Sequence, residues 1–328
     1  MLKLVAYAVR PDERPHFEEL ADELGVEVSY VDRELDASTV TEADGCFAVS
    51  IGGPNNVDGA VVERLAEFGV KVLATRSIGY NNIDLDAVRT VGIHVANARY
   101  APTSVAEFTV MLALMGLRRM KAILMRGAAQ DFSIEHRLGR EICSCTVGIL
   151  GTGRIGAAAA RLFKGLGAHV LGYDVYENHS LDDVLTYAPL EEVLAQSDVI
   201  SLHLPLLPST EHIINDDAIA AMKDGVGIIN CARGPIVDTP ALVRGIKSGK
   251  IGFACLDTVE GELDYFHHDL GCEPIQDDCI ALLRGYPNVI MTQHCSFYTD
   301  DAVRSMVESS LRAAVEIAGT GASSYDVI

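Results

Sequence analysis

The sequence predicts an α/β architecture: two domains, each a doubly wound parallel sheet covered by helices on both faces. Three observations carry this. Short apolar runs alternate with helical stretches along almost the whole chain, joined by short connections. The length of 328 residues, 49% of them hydrophobic, is ample for two cores. Midway, one apolar run feeds a spaced glycine triplet that opens a helix.

In chain order, residues 2–9 read as a first strand, 15–24 as a polar helix and 26–31 as a second strand. Residues 46–51 give a third strand, and 57–68 a helix that Gly69 ends. Residues 72–74 begin a fourth strand, 84–91 are helical, and 93–97 form a fifth strand. Pro102 then opens a long apolar helical segment reaching about Ala129. A helix so apolar must be covered, either by the other domain or by a second subunit, and a homodimer contact over 102–129 is the favoured expectation.

Residues 146–150 form a buried strand that runs into Gly151-x-Gly153-x-x-Gly156. A helix over 157–166 and a strand over 169–173 follow, ending at Asp174. In this setting Gly151 permits the tight turn, Gly153 admits a pyrophosphate and Gly156 lets the helix pack on the sheet. Helix-start N–H groups then face the phosphates. Asp174 is placed for a ribose diol and would repel a 2′-phosphate, so the expected cofactor is NAD rather than NADP.

The rhythm resumes with strands at 199–203, 227–231, 251–256 and 289–292, and helices at 216–222 and 239–248. Residues 261–278 read as a charged, aromatic insertion, and a final helix over 300–317 returns to the first domain. The crossings fall near 98–101 and 296–300.

Charge narrows the partners. The net charge is −20, from 46 acidic against 26 basic residues, which argues against nucleic acid and anionic membranes. The best membrane candidate, 105–117, is broken by Glu107 and falls short of the ~20 residues a span needs. The apolar start is too short for a signal peptide. Eight scattered cysteines without a Cys-x-x-Cys pair suit reduced thiols in the cytoplasm.

Arg233, Asp257 and His294 each follow a predicted strand, on the carboxyl edge where such sheets bind ligands, and Glu262 lies on the adjacent loop. Taken singly, Arg233 also fits a surface charge, Glu262 a solvated acidic loop and His294 a capped core histidine. Together, beside a dinucleotide site, they suit reduction of a 2-oxo acid. Arg233 would bind the carboxylate and polarise the keto oxygen. His294 would donate the proton, with Glu262 orienting its imidazole. His267, His268, Asp269 and Cys272 invite a metal reading, but adjacent histidines usually point apart; a solvated loop is favoured and no metal is expected.

Asn230-Cys231-Ala232-Arg233-Gly234, Leu256-Asp257-Thr258-Val259-Glu260-Gly261-Glu262 and Gln293-His294-Cys295-Ser296-Phe297-Tyr298-Thr299 resemble three signature blocks of the D-2-hydroxyacid dehydrogenase family, in its D-lactate dehydrogenase branch. The resemblance extends to residues 77–84 and 97–102 and covers essentially the whole chain. It implies a flavodoxin-like substrate domain, 1–99 plus 298–328, with an inserted Rossmann NAD-binding domain, 100–297. It also implies D stereochemistry, a closing cleft and usually a homodimer. By the same resemblance Arg233, Glu262 and His294 are the catalytic triad. Amides of Ile78 and Gly79 would hold the substrate carboxylate, with Tyr100, Phe297 and Tyr298 near the substrate. Arg154 and Ile155 would touch the pyrophosphate, His203 and Pro205 the adenosine side, and Asp257 the nicotinamide amide, with Cys231 and Ala232 also on the cofactor. Two positions depart from the family: Gln293 stands where proline is common, and Cys295, often threonine, sets an oxidisable thiol beside the proton donor. The activity so implied is reduction of pyruvate to D-lactate. Bulkier 2-oxo acids such as 2-oxoisocaproate or phenylpyruvate are the alternative, and an NAD-sensing corepressor-like binding protein is the competitor of another class.

Overall fold

A computed structural model describes residues 1–53 and 55–328, which separate into two units: 1–101 with 298–328, and 102–297. The first unit runs β1 (Leu2–Tyr7), α1 (Arg14–Leu24), β2 (Val26–Val31), β3 (Ala48–Ile51), α2 (Gly59–Glu67), β4 (Val72–Thr75), α3 (Leu85–Val91) and β5 (His94–Asn97). Its sheet has the order β2-β1-β3-β4-β5, all parallel, which is the flavodoxin-like order. Alternate residues serve opposite faces. Val5, Tyr7, Val49, Ile51, Leu73 and Val95 pack with Val61, Val62 and Leu65. Leu4, Ala6, Ala48, Val72, Ala74 and Ala96 pack with Phe17, Leu20, Val307 and Leu311. With both faces buried, the inner strands β1, β3 and β4 read as nearly unbroken apolar runs, whereas the edge strand β2 carries Glu27 and Ser29.

The second unit runs α4 (Thr103–Leu117), α5 (Met120–Ala128), β6 (Thr146–Leu150), α6 (Arg154–Gly165), β7 (His169–Tyr173), β8 (Thr186–Tyr187), α7 (Leu190–Gln196), β9 (Val199–Leu202), α8 (Asp216–Ala221), β10 (Val226–Asn230), α9 (Thr239–Ser248), β11 (Ile251–Leu256), α10 (Asp278–Gly285) and β12 (Val289–Met291). The chain then returns to the first unit with α11 (Asp300–Thr320). The parallel order β12-β11-β10-β9-β6-β7-β8 is that of a Rossmann sheet extended by one strand. Its switch point lies between β6 and β9, beside the glycine turn that follows β6.

Several expected elements are corrected. The single helix over 102–129 is two, α4 and α5, because Arg119 adopts a left-handed conformation at φ +53°. One face of α4, with Val105, Leu112 and Ala113, is buried within its own unit, where the helix packs on α6, β10 and β11, while Met111 and Leu114 remain 41% and 36% exposed. A Cβ on Gly116 would lie 2.2 Å from the Phe253 ring, so the helix can approach the sheet only with glycine there. The helix after the glycine turn starts at Arg154 rather than at 157, which puts its N-terminus directly behind Gly153. Strand β8 and helices α7 and α10 had no counterpart in the sequence reading. Among the described residues, no helix is long and apolar enough to cross a membrane.

Candidate active site

The glycine turn is built by close packing. Gly151 sits at φ +93°, and a Cβ on it would lie 2.7 Å from the His203 carbonyl. A Cβ on Gly156 would meet the Gly151 carbonyl oxygen at 1.9 Å, whereas one on Gly153 would meet nothing within 4 Å. Two glycines are therefore demanded by protein contacts, and the third faces open space at the start of α6. That is the cradle a pyrophosphate needs.

Asp174, half-buried after β7, accepts through Oδ2 from the Thr152 N–H at 2.6 Å and the Thr152 hydroxyl at 3.1 Å, and through Oδ1 from the Tyr176 N–H at 3.2 Å. Tyr187 Oη donates to Thr152 Oγ1 and accepts from the Asn178 N–H, fixing the turn further. Nδ1 of His203 is buried without a hydrogen-bond partner, while Nε2 meets Ser201 Oγ at 2.9 Å. Burial pushes its imidazole down to about 4, so the ring stays neutral. An open glycine cradle beside an unanswered polar atom fits a bound dinucleotide.

At the other half of the sheet, loops after β10, β11 and β12 bring forward Arg233, Glu262 and His294. His294 Nδ1 lies 2.8 Å from Glu262 Oε1, and Glu262 Oε2 accepts from the Val259 N–H at 2.7 Å. The carboxylate is buried and the imidazole part-exposed, so the pair is shielded at one end and accessible at the other. Asp257 organises the loop behind the histidine. Fully buried, it accepts from Thr292 Oγ1 at 2.6 Å and from the Cys295 and Ser296 N–H groups, both at 2.9 Å, while its carbonyl takes the His294 N–H at 2.8 Å. His294 is thereby held at φ +50°, a conformation rare for non-glycine residues. Arg233 is presented by a clamp: Asn230 Nδ2 donates to its carbonyl at 2.9 Å, and Asn230 Oδ1 accepts from the Ala232 N–H at 3.0 Å.

The family model for the D-isomer specific 2-hydroxyacid dehydrogenase, NAD binding domain, matches residues 110–296. The chain belongs to the D-isomer specific 2-hydroxyacid dehydrogenase family. An aromatic 2-oxoacid reductase of Clostridium sporogenes is 42% identical over 312 residues, 94% of each chain. A D-lactate dehydrogenase of Lactiplantibacillus plantarum is 38% identical over 323 residues, 98% of this chain and 97% of its own. The NAD complex of a D-isomer specific 2-hydroxyacid dehydrogenase from Lactobacillus delbrueckii ssp. bulgaricus superposes with a TM-score of 0.87 at 36% identity, covering 99% of this chain and 100% of that one. This dehydrogenase is accordingly an NAD-dependent oxidoreductase acting on the CH–OH group of D-2-hydroxy acids.

Arg154 and Ile155 are the first two residues of α6, and Pro205 lies exposed in the loop after β9. Cys231 and Ala232 are buried at the end of β10. Phe297 closes the second unit. Ile78, Gly79, Tyr100 and Tyr298 belong to the first unit. There the loop after β4 is tied to β5: Asn97 Nδ2 donates to the Ile78 carbonyl at 2.7 Å, and the Ala98 N–H to that of Ser77. The Arg10 guanidinium lies 5.5 Å from the Tyr298 ring centre.

At Cys295, burial first and then the Asp257 carboxylate push the thiol up, disfavouring its thiolate. Among the described residues no group of three or more His, Cys, Asp and Glu is placed to hold a metal, and all eight cysteines are free. Two features escaped the sequence reading: the four hydrogen bonds that Asp257 makes to the catalytic loop, and the pairing of His212 Nε2 with Glu260 Oε1 at 2.7 Å, which ties the loop after β11 to the one after β9. Neither leaves a periodic or motif signal.

Proposed function

We propose that the enzyme reduces pyruvate to D-lactate with NADH, with Arg233, Glu262 and His294 as its catalytic residues. The 2.8 Å Glu262–His294 bond carries this reading. Because Nδ1 is committed to the carboxylate, Nε2 is the nitrogen available to a substrate. Arg233 would pair with the substrate carboxylate and polarise the keto oxygen. His294, entering as the imidazolium, gives its Nε2 proton to that oxygen and keeps its Nδ1–H on Glu262, which holds one tautomer through the cycle. NADH, when bound, supplies the hydride. The turn Gly151–Gly156, with Arg154, Ile155, Asp174, His203, Pro205, Cys231, Ala232 and Asp257, is proposed to hold it. Ile78, Gly79, Tyr100, Phe297 and Tyr298 keep the substrate roles described above.

A second reading, a bulkier aromatic 2-oxo acid, is favoured by the relative named aromatic 2-oxoacid reductase. Following NADH oxidation with pyruvate, 2-oxoisocaproate and phenylpyruvate decides between them by kcat/KM. Turnover of none of the three would remove pyruvate and these bulkier analogues as the substrate.

For the cofactor, Asp174→Ala should narrow the preference for NADH over NADPH, because the carboxylate that meets the ribose diol and repels a 2′-phosphate is gone. Equal use of both cofactors by the unmodified enzyme would show that Asp174 has no such role.

We further propose a homodimer through the 102–129 region and a reducing, cytoplasmic setting suited to the free thiols. Met111 and Leu114 on α4 are 41% and 36% exposed, Leu124 and Met125 on α5 59% and 57%, and Phe132, Ile134 and Leu138 in the following segment more than 80%. Such a cluster of exposed apolar side chains is typical of an interaction surface. Sedimentation velocity should report a dimer at micromolar concentration, and a clean monomer would sink this assembly.

A further inference from the structure

We infer that His267 is a positioning residue for the reaction, fixing the peptide plane that carries His294; the inference rests on reading His294 as the proton donor. A peptide group is rigid and planar, with its carbonyl and N–H on opposite edges. In the plane joining Gln293 to His294, the N–H edge donates to the Asp257 carbonyl at 2.8 Å. The carbonyl edge meets His267 Nε2, also at 2.8 Å. With both edges held, the plane cannot rock, and rotation about the His294 N–Cα bond is measured from a fixed frame.

That rotation is the strained one, at φ +50°. Asp257 grips the N–H groups after His294, and Glu262 grips its ring. Only the His267 contact, among these, acts on the carbonyl that precedes it. Gln293 brings no ring of its own to restrain the backbone there, as a proline would. The restraint therefore comes from the 261–278 segment, which the sequence alone offers only as a solvated loop. His267 itself lies in the left-handed region at φ +67°, and its ring centre is 6.4 Å from that of His294. It reaches the backbone that supports the reacting imidazole.

Proton transfer is steeply sensitive to alignment, so loosening one edge of this plane should slow the chemical step more than it weakens binding. In the full-length enzyme, His267→Leu is expected to lower kcat by about ten- to a hundredfold and to enlarge the solvent deuterium isotope effect on kcat, with NADH affinity by fluorescence quenching within about twofold. His267→Gln, which keeps an N–H donor at about the reach of Nε2, should return kcat to within about threefold of the unmodified enzyme. The positioning role is overturned if the leucine variant keeps its kcat within about twofold, if it slows with an unchanged isotope effect, or if glutamine is as slow as leucine. His294→Gln, assayed alongside, separates the two claims. Full turnover by that variant would remove the proton-donor reading itself. An inactive His294→Gln beside an unimpaired His267→Leu would overturn only the positioning role.

Discussion

Replacing Arg233 with alanine is expected to cost about 3–5 kcal/mol of apparent transition-state binding, on the order of 10²–10⁴-fold in kcat/KM for 2-oxo acid reduction. The protein carries a net charge of −20, so an anionic substrate must be met by a local cation working against the overall field. Arg233 is set for this by its turn. Asn230 holds the turn from both sides, and a Cβ on the next residue, Gly234, would lie 2.3 Å from the Val259 carbonyl carbon. The loop bearing Arg233 is thus seated directly on the loop that leads to Glu262. NADH affinity should change little, because the glycine turn is built on β6 and β7. Arg233→Lys should recover only part of the loss, since an ammonium keeps the charge but not the two-pronged contact with a carboxylate. An unchanged kcat/KM in the alanine variant would remove Arg233 from the site.

What was legible beforehand follows from how local each constraint is. The strand–turn–helix at 146–165 is written in spaced glycines, two demanded by packing and the third leaving open space at the helix start, so spacing alone reveals it. Strand ends carrying Arg233, Asp257 and His294 are legible for a similar reason: buried parallel strands are apolar runs, and the polar residue after each run marks the sheet edge. The division of α4 from α5 is different. No glycine or proline stands at 117–120, and every residue there suits a helix. What accompanies the break is distant: Lys121 Nζ donates to the carbonyls of Arg284, Tyr286 and Val289, and Arg119 Nε to that of Leu138. Partners separated by up to 168 residues leave no trace in a local pattern. His267 was hidden for the same reason, since the carbonyl it holds lies 26 residues away. Arg76 is the sharpest case: a charged residue just after a strand reads as solvent-facing, yet its side chain is 1% exposed.

That burial sets the second large effect. Arg76 Nε donates to Glu13 Oε1 at 3.0 Å, its other nitrogens to Ser50 Oγ and to the carbonyls of Tyr7 and Ala8, and Glu13 is wholly buried. Burial holds the guanidinium below its ordinary range, and the neighbouring Glu13 carboxylate opposes that shift. Glu13 also pairs with Arg10 at 3.1 Å, so its removal leaves two cations facing one another, one of them out of reach of water. Glu13→Ala should therefore destabilise the first unit by about 3–5 kcal/mol. In calorimetry this corresponds to a fall of roughly 10–20 °C in its transition. The loss comes from stranding a buried charge rather than from the attraction alone. Taking the charge away as well, in Glu13→Leu with Arg76→Met, should recover most of the stability, since a well-packed apolar pair avoids both desolvation penalties. A double variant no more stable than Glu13→Ala would show that the hydrogen bonds to Ser50, Tyr7 and Ala8, rather than the neutralised charge, hold this corner of the sheet together.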